Sequence, residues 1–193
     1  VAVDRSDPTF KLVHAVTRLY TPVELTLVHA VDHGLARYPD KEPIGRGTVP
    51  EELRPLLDSG YKFLEQAAKS IPSELNLVVK QVCELGNAAR VVINTAQMEA
   101  ADLIVTGSRG LSSEEREFTV GSVSDRIASH APCSTLVVKQ VPDQIRRVLV
   151  AVNGIDDAAQ IQRWLLANPF HDPVETTVLH VVPTVKAYRN DTS

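Results

Sequence analysis

Ala101-Asp102-Leu103-Ile104-Val105-Thr106-Gly107-Ser108-Arg109-Gly110 is followed, after ten further residues, by Gly121-Ser122-Val123-Ser124. The apolar, β-branched part, 101–106, reads as a buried strand that ends where the glycines begin. Past Gly121, the residues Val123, Ile127 and Ala128 fall at helical spacing, so Gly121-Ser122 is the entrance to a helix. A strand end, a glycine turn and a helix start bring unpaired backbone N–H groups to one place, which holds a phosphate without a charged side chain. The stretch has no Walker A lysine and its spacing is not G-x-G-x-x-G, so neither common nucleotide fingerprint applies. A purely structural reading stays open, with Gly107 and Gly110 shaping a surface turn and Gly121 letting a helix pack closely.

Working outward, the chain alternates strands with amphipathic helices. Val1-Ala2-Val3 is the end of an apolar strand that stops at Asp4. A helix is expected over 8–20 on the stripe Leu12, Val13, Val16, Leu19 and Tyr20, and Pro22 ends it. Residues 23–31 (VELTLVHAV) suit an interior parallel strand covered on both faces. Residues 32–49 carry prolines, glycines and charges without periodicity, a loop long enough to be functional or mobile. Thr48 with Glu51 has capping-box spacing ahead of a long helical stripe whose first turns Pro55 should delay or kink. A third strand at 76–82, a helix from Asn87, a helix over 119–130 and a fifth strand at 133–139 complete a doubly wound α/β pattern with right-handed crossovers.

After a linker at 140–145, the beginning repeats. Val150-Ala151-Val152-Asn153 answers Val1-Ala2-Val3-Asp4, and 174–182 (VETTVLHVV) answers 23–31, with Asp156 as cap for a helix carrying Ile161, Trp164 and Leu165. The chain thus reads as a full domain over 1–140 and the opening strand-helix-strand of a second over 146–193. Three elements cannot bury both faces of two strands, so the second part is expected to need a partner, unless the chain has been cut. Since the sequence begins inside a strand pattern without a Met, a few upstream residues are also expected.

Bulk properties narrow the classes. Among 193 residues 44% are hydrophobic and 23% charged, with a formal net charge of −4, which is ordinary for a soluble domain and gives no footprint for nucleic acid or an anionic membrane. No apolar run approaches the roughly 18 residues of a membrane span, and no signal segment opens the chain, so a cytoplasmic protein is expected. Cys83 and Cys133 read as buried reduced thiols, since no C-x-x-C accompanies them. No His pairs with another ligand at i, i+4 within an expected helix, so no metal site is expected. His29 and His180 occupy equivalent strand positions and suit packing or a strand-end hydrogen bond better than catalysis.

These stretches, above all 101–110 (ADLIVTGSRG) and 121–139 (GSVSDRIASHAPCSTLVVK), resemble the universal stress protein family. The resemblance covers Val1 to about Lys139, and again about Arg147 to Pro183. It implies an open five-stranded parallel sheet of order 3-2-1-4-5, the adenine nucleotide alpha hydrolase-like fold, whose nucleotide-binding members carry G-x2-G-x9-G-[S/T]. The ligand would sit where the chain reverses between strands 1 and 4. Carried over, Asp4 would orient the adenine and ribose end, or cap the following helix, and the backbone at Ala30 would meet the base. Thr106 closes the strand; Gly107 and Gly110 would let the main chain approach the phosphates. Arg109 would add a charge-assisted bond, and past Gly121 the residues Ser122, Val123 and Ser124 would donate hydroxyl or N–H groups.

One departure stands out: ten residues separate Gly110 from Gly121 where the family pattern has nine, and they include Glu114, Glu115 and Glu117. The resemblance implies a stress-response regulatory protein that takes ATP or AMP, with Mg allowed for beside the nucleotide, and works as a homodimer without nucleic-acid or membrane partners. The alternative is a dimerisation or interaction module of the same fold that binds no nucleotide. An enzyme is not expected beyond slow ATP hydrolysis, because phosphoryl transfer needs placed cations and only Asp4 is available as a metal ligand.

Overall fold

The structure, a computed structural model, describes residues 1–5, 12, 13, 16, 17, 20, 24–32, 34, 42–108, 121–140, 144–167, 170 and 172–180. Strand β1 (Glu24–Val31) runs parallel to β2 (Val78–Leu85), in register from Glu24 opposite Val78 to Val31 opposite Leu85. Strand β3 (Leu103–Gly107) runs parallel to β4 (Ser134–Val138). The short segment Val1–Val3 joins the two pairs. On one side the Val1 nitrogen donates to Thr26 O at 2.7 Å, Val28 N–H to Val1 O at 2.9 Å and Val3 N–H to Val28 O at 2.9 Å. On the other, Ala2 N–H donates to Val105 O at 2.8 Å. The spatial order is therefore β2, β1, the amino-terminal segment, β3, β4, which in chain order is 3-2-1-4-5, the doubly wound order expected.

Helices cover both faces because the strands alternate. In β1, Leu25 and Leu27 turn to one face, where they join Val3, Leu12, Val13 and Val16 and the stripe Leu57, Leu64 and Ala67 of α1 (Arg54–Lys69). Val28 turns to the other, against Ala89, Val91, Val92 and Ala96 of α2 (Ala88–Met98) and Ile127 of α3 (Ser122–His130). Each Val, Leu or Ile among them, fully removed from water, stabilises the fold by roughly 1.5–3 kcal/mol. Of the helix expected over 8–20, Leu12, Val13, Val16, Thr17 and Tyr20 are described; the first four are helical and buried, while Tyr20 lies in a bend and is half-buried.

Local signals held to different degrees. Asn87 caps α2, its Oδ1 accepting from Arg90 N–H at 3.2 Å. The Thr48–Glu51 capping box does not form. Thr48 Oγ1 instead donates to Gly45 O at 3.4 Å, a 3-10 turn spans Glu51–Leu53, and α1 starts at Arg54 with no side-chain cap. Pro55 lies in the first turn of α1, where its missing N–H has no helical partner to lose. Residues 42–49 of the long loop are pinned down. Ile44 and Leu85 exchange both backbone hydrogen bonds, at 2.8 and 3.0 Å, Glu42 accepts from Arg90 and from Asn94, and Arg46 pairs with Asp58 at 3.1 Å.

A second compact unit is made chiefly of residues from Gln144 on. In it β5 (Arg147–Val152) and β6 (Glu175–His180) run parallel, Arg147 opposite Glu175, with α4 (Ile155–Leu166) between them in sequence. Asp156 does not cap α4: the N-cap position is Gly154, and it is Asp157 whose carboxylate accepts from Asn153 N–H at 3.3 Å. Trp164, on the expected helix, is 37% exposed and meets the edge of Phe170 at 5.5 Å. Every described residue of β6 is exposed, because a strand-helix-strand has too few layers to cover its own sheet.

Candidate functional site

The two glycine corners meet through one hydrogen bond. Ser108 N–H donates to Val138 O at 2.9 Å, extending the β3–β4 ladder one residue past Gly107, and Ser108 O then accepts from Gly121 N–H at 2.8 Å. The end of β3 and the start of α3 are thereby held together across 109–120. Arg109 and Gly110, and with them Glu114, Glu115 and Glu117, lie outside the described residues.

Gly121 is the N-cap of α3, extended at φ −65° and ψ 153°, and no side chain caps the helix. The first intrahelical bond runs from Asp125 N–H to Gly121 O at 2.9 Å. The N–H groups of Ser122, Val123 and Ser124 precede it and have no partner within the helix, which carries about half a positive charge at this end. Gly121 itself contributes shape rather than a donor, since Ser108 takes its N–H. The Ser124 hydroxyl is also unavailable: that residue is buried and its Oγ donates to Gly121 O at 3.0 Å, leaving only its main chain. Ser122 is exposed, and Val123 is 40% exposed.

The other residues of the set converge on the reversal point of the sheet. Asp4 ends the amino-terminal segment between β1 and β3 and is half-buried, and the neighbouring Arg5 donates to Ser59 Oγ of α1 at 2.8 Å. In the ladder, Thr26 and Val28 direct their backbone groups to this segment, so Ala30, two residues on, directs its own the same way. The ladder ends before reaching it: Val3 O accepts instead from His29 Nδ1 at 3.0 Å, so the Ala30 main chain lies just past the last rung. Thr106 is buried with its hydroxyl donating to Gly107 O at 3.3 Å, a strand-end contact rather than an open donor.

His29 is a structural group. A carbonyl can only accept, so Nδ1 carries the proton, and the ring packs on Phe63 at 5.1 Å. Burial, partly opposed by the Val3 bond, holds its pKa below the ordinary 6.5. The fold then binds fewer protons than the unfolded chain just below that value, so stability should fall as pH drops under about 6.5 and be insensitive to His29 above it. Urea melts at pH 7.5 and 5.5 should show the loss in the native chain and a shallower one in His29→Gln; equal slopes would remove His29 from the acid response. Burial pushes the Cys83 thiol up to about 11 and raises Cys133 as well, which disfavours the thiolate at both, although Cys133, expected to be buried, is only half-buried. Among the described residues no three His, Cys, Asp or Glu side chains gather to hold a metal, and no helix is long and apolar enough to cross a membrane.

Comparison with known proteins gives a consistent result. The model of the universal stress protein family matches residues 1–139. Universal stress protein YxiE of Bacillus subtilis is 30% identical over 146 residues, covering 72% of this chain and 96% of the relative. The solved structure of hypothetical protein MJ0577 superposes with a TM-score of 0.55 at 20% identity, over 72% of this chain and 92% of that one. A universal stress protein from Archaeoglobus fulgidus superposes with a TM-score of 0.65 at 17% identity, over 97% of this chain and 66% of that one. With the sheet order, the glycine corners and the sequence match in agreement, the chain belongs to the universal stress protein family.

Proposed function

We propose that the first unit binds an adenine nucleotide, ATP or AMP, at the crevice past the carboxyl ends of its strands, and that the protein is a nucleotide-responsive regulator of the stress response rather than an enzyme. The observation that carries the reading is the Gly121 N–H to Ser108 O bond. It fixes the N–H groups of Ser122, Val123 and Ser124, which have no partner within the helix, beside the end of β3, a fit for phosphate oxygens at a topological switch point. Asp4 and the Ala30 main chain would take the ribose and base, while Gly107, Arg109 and Gly110 belong to the phosphate side. Any Mg would be held mainly by the phosphates, with Asp4 the one carboxylate of the set. A cytoplasmic homodimer completes the proposal.

Gly121→Asp is the informative variant. Its φ suits any residue and Asp is a good N-cap, so α3 keeps its start while a carboxylate occupies the phosphate position. Calorimetric titration with ATP and AMP should give binding to the native chain and at least a roughly tenfold loss in the variant, the equivalent of about 1.4 kcal/mol. No heat and no thermal shift at about millimolar nucleotide would leave the glycine corners a structural turn.

The second unit is, on the same proposal, the opening of another copy of the fold. Its support is a repeated bond: His180 Nδ1 lies 2.9 Å from Val152 O as His29 Nδ1 lies 3.0 Å from Val3 O, at matching positions of the internal repeat.

A further inference from the structure

We infer that His29 is a positioning residue for the base of the nucleotide: its ring takes the hydrogen bond that would otherwise close the sheet, and so keeps the Ala30 main chain open to a ligand. This rests on the nucleotide reading above and extends it to a side chain that does not itself meet the ligand. Between β1 and the amino-terminal segment the rungs include Val28 N–H to Val1 O and Val3 N–H to Val28 O, both at 2.9 Å. The next rung of a parallel ladder would run from Ala30 N–H to Val3 O. His29 Nδ1 holds that carbonyl instead, at 3.0 Å, and among the described residues neither the N–H nor the carbonyl of Ala30 has a backbone partner on this side. Val3 is buried, so leaving its carbonyl without a donor would be costly, and the imidazole supplies the donor that the neighbouring main chain does not.

Helix α1 holds the ring to this task. Glycine at position 60 leaves it room, since a Cβ there would stand 3.2 Å from His29 Cδ2, and the ring packs on Phe63 at 5.1 Å. The diverted carbonyl recurs in the second unit, where His180 Nδ1 lies 2.9 Å from Val152 O. A residue whose N–H and carbonyl face the same way offers one donor beside one acceptor. The Watson–Crick edge of adenine is the complement, with ring N1 accepting beside an amino group that donates. Hypoxanthine reverses the pattern, with a ring N–H beside a carbonyl, and would set donor against donor and acceptor against acceptor. Ala30 kept open thus selects adenine. Without the imidazole, Val3 O would capture the Ala30 N–H and the selection would be lost.

Calorimetric titration with ATP and with inosine triphosphate, together with amide exchange followed by NMR, tests this. The native chain should prefer ATP by at least roughly tenfold. His29→Leu should lose roughly three- to tenfold in ATP affinity, the size of one hydrogen bond, with inosine triphosphate little changed, so that the preference shrinks. His29→Asn, whose side-chain amide still donates close to the position of Nδ1, should keep it. In the nucleotide-free native chain the Ala30 amide should exchange faster than that of Val28 and slow on addition of ATP, whereas in His29→Leu it should be slow without nucleotide. A native chain that binds no ATP overturns the nucleotide site and this role with it. Three results leave the site standing and overturn the role of His29: native binding that does not distinguish the two nucleotides, an Ala30 amide already protected in the nucleotide-free native chain, or a His29→Leu variant with the full ATP preference. The first two are read on the native chain and do not depend on the variant folding.

Discussion

Gly60→Ala should destabilise the protein by roughly 1–3 kcal/mol, the range for forcing atoms into a packed core. The local expectation is the reverse, since glycine in a helix interior is about 1 kcal/mol worse than alanine, and Gly60 lies inside α1. Packing decides the sign. A Cβ built on Gly60 would stand 2.3 Å from Cys83 Sγ, 3.2 Å from His29 Cδ2 and 3.3 Å from Val31 Cγ2. The sulfur contact is far inside van der Waals distance, and Cys83 is fully buried with no room to retreat. Cys83→Ala removes that atom, so the double variant should lose less than the two single variants added together, by an interaction of about 0.5–3 kcal/mol. Urea denaturation of the four proteins measures it. Gly60→Ala at or above native stability would mean that α1 does not sit this close to the sheet.

That contact also marks where reading the sequence stops. Periodicity finds α1, α2, β1 and β3, because the stripes Leu57–Leu64 and Val92–Ala96 and the β-branched runs are local patterns. Gly60 carries no such signal; its role depends on a strand reached only after two further turns of chain. The same holds for residues 42–49, where aperiodic sequence correctly says loop but says nothing of the Ile44–Leu85 bonds or the Glu42 contacts with α2. At the candidate site, the glycines and helix start were legible as types. Two details were not: the Gly121 N–H is consumed by Ser108, and the Ser124 hydroxyl turns back on its own helix. Hydrogen-bond direction is set by tertiary placement, which spacing does not encode. The exposure of Trp164 and Val178 has a different origin, since the helix and strand signals there are sound but the layers needed to bury them are not among the described residues.

Ile127→Ala should cost about 2–5 kcal/mol and weaken ATP binding beyond what unfolding explains. Within α3 only Ser124 and Ile127 are buried, and Ile127, at 0% exposure, is the side chain that seats the helix among Val28, Ala89, Val91, Val92, Ala96 and Ile104. The N–H groups of Ser122, Val123 and Ser124 are held in place by that anchor at one end and by the Gly121–Ser108 bond at the other. Truncating the anchor opens a cavity under the helix and leaves its first turn on a single tether, so three donors that should act together on one phosphate lose their common aim. Ile127→Val keeps most of the contact and should cost only about 0.5–1.5 kcal/mol, with affinity close to native. Thermal melts give the stabilities, and ATP titrations well below each variant's melting temperature, where nearly all molecules are folded, give the affinities. Should Ile127→Ala lose stability as expected yet bind ATP at native strength, the Gly121–Ser108 bond alone positions the donors, and the packing beneath α3 serves the fold without serving the ligand.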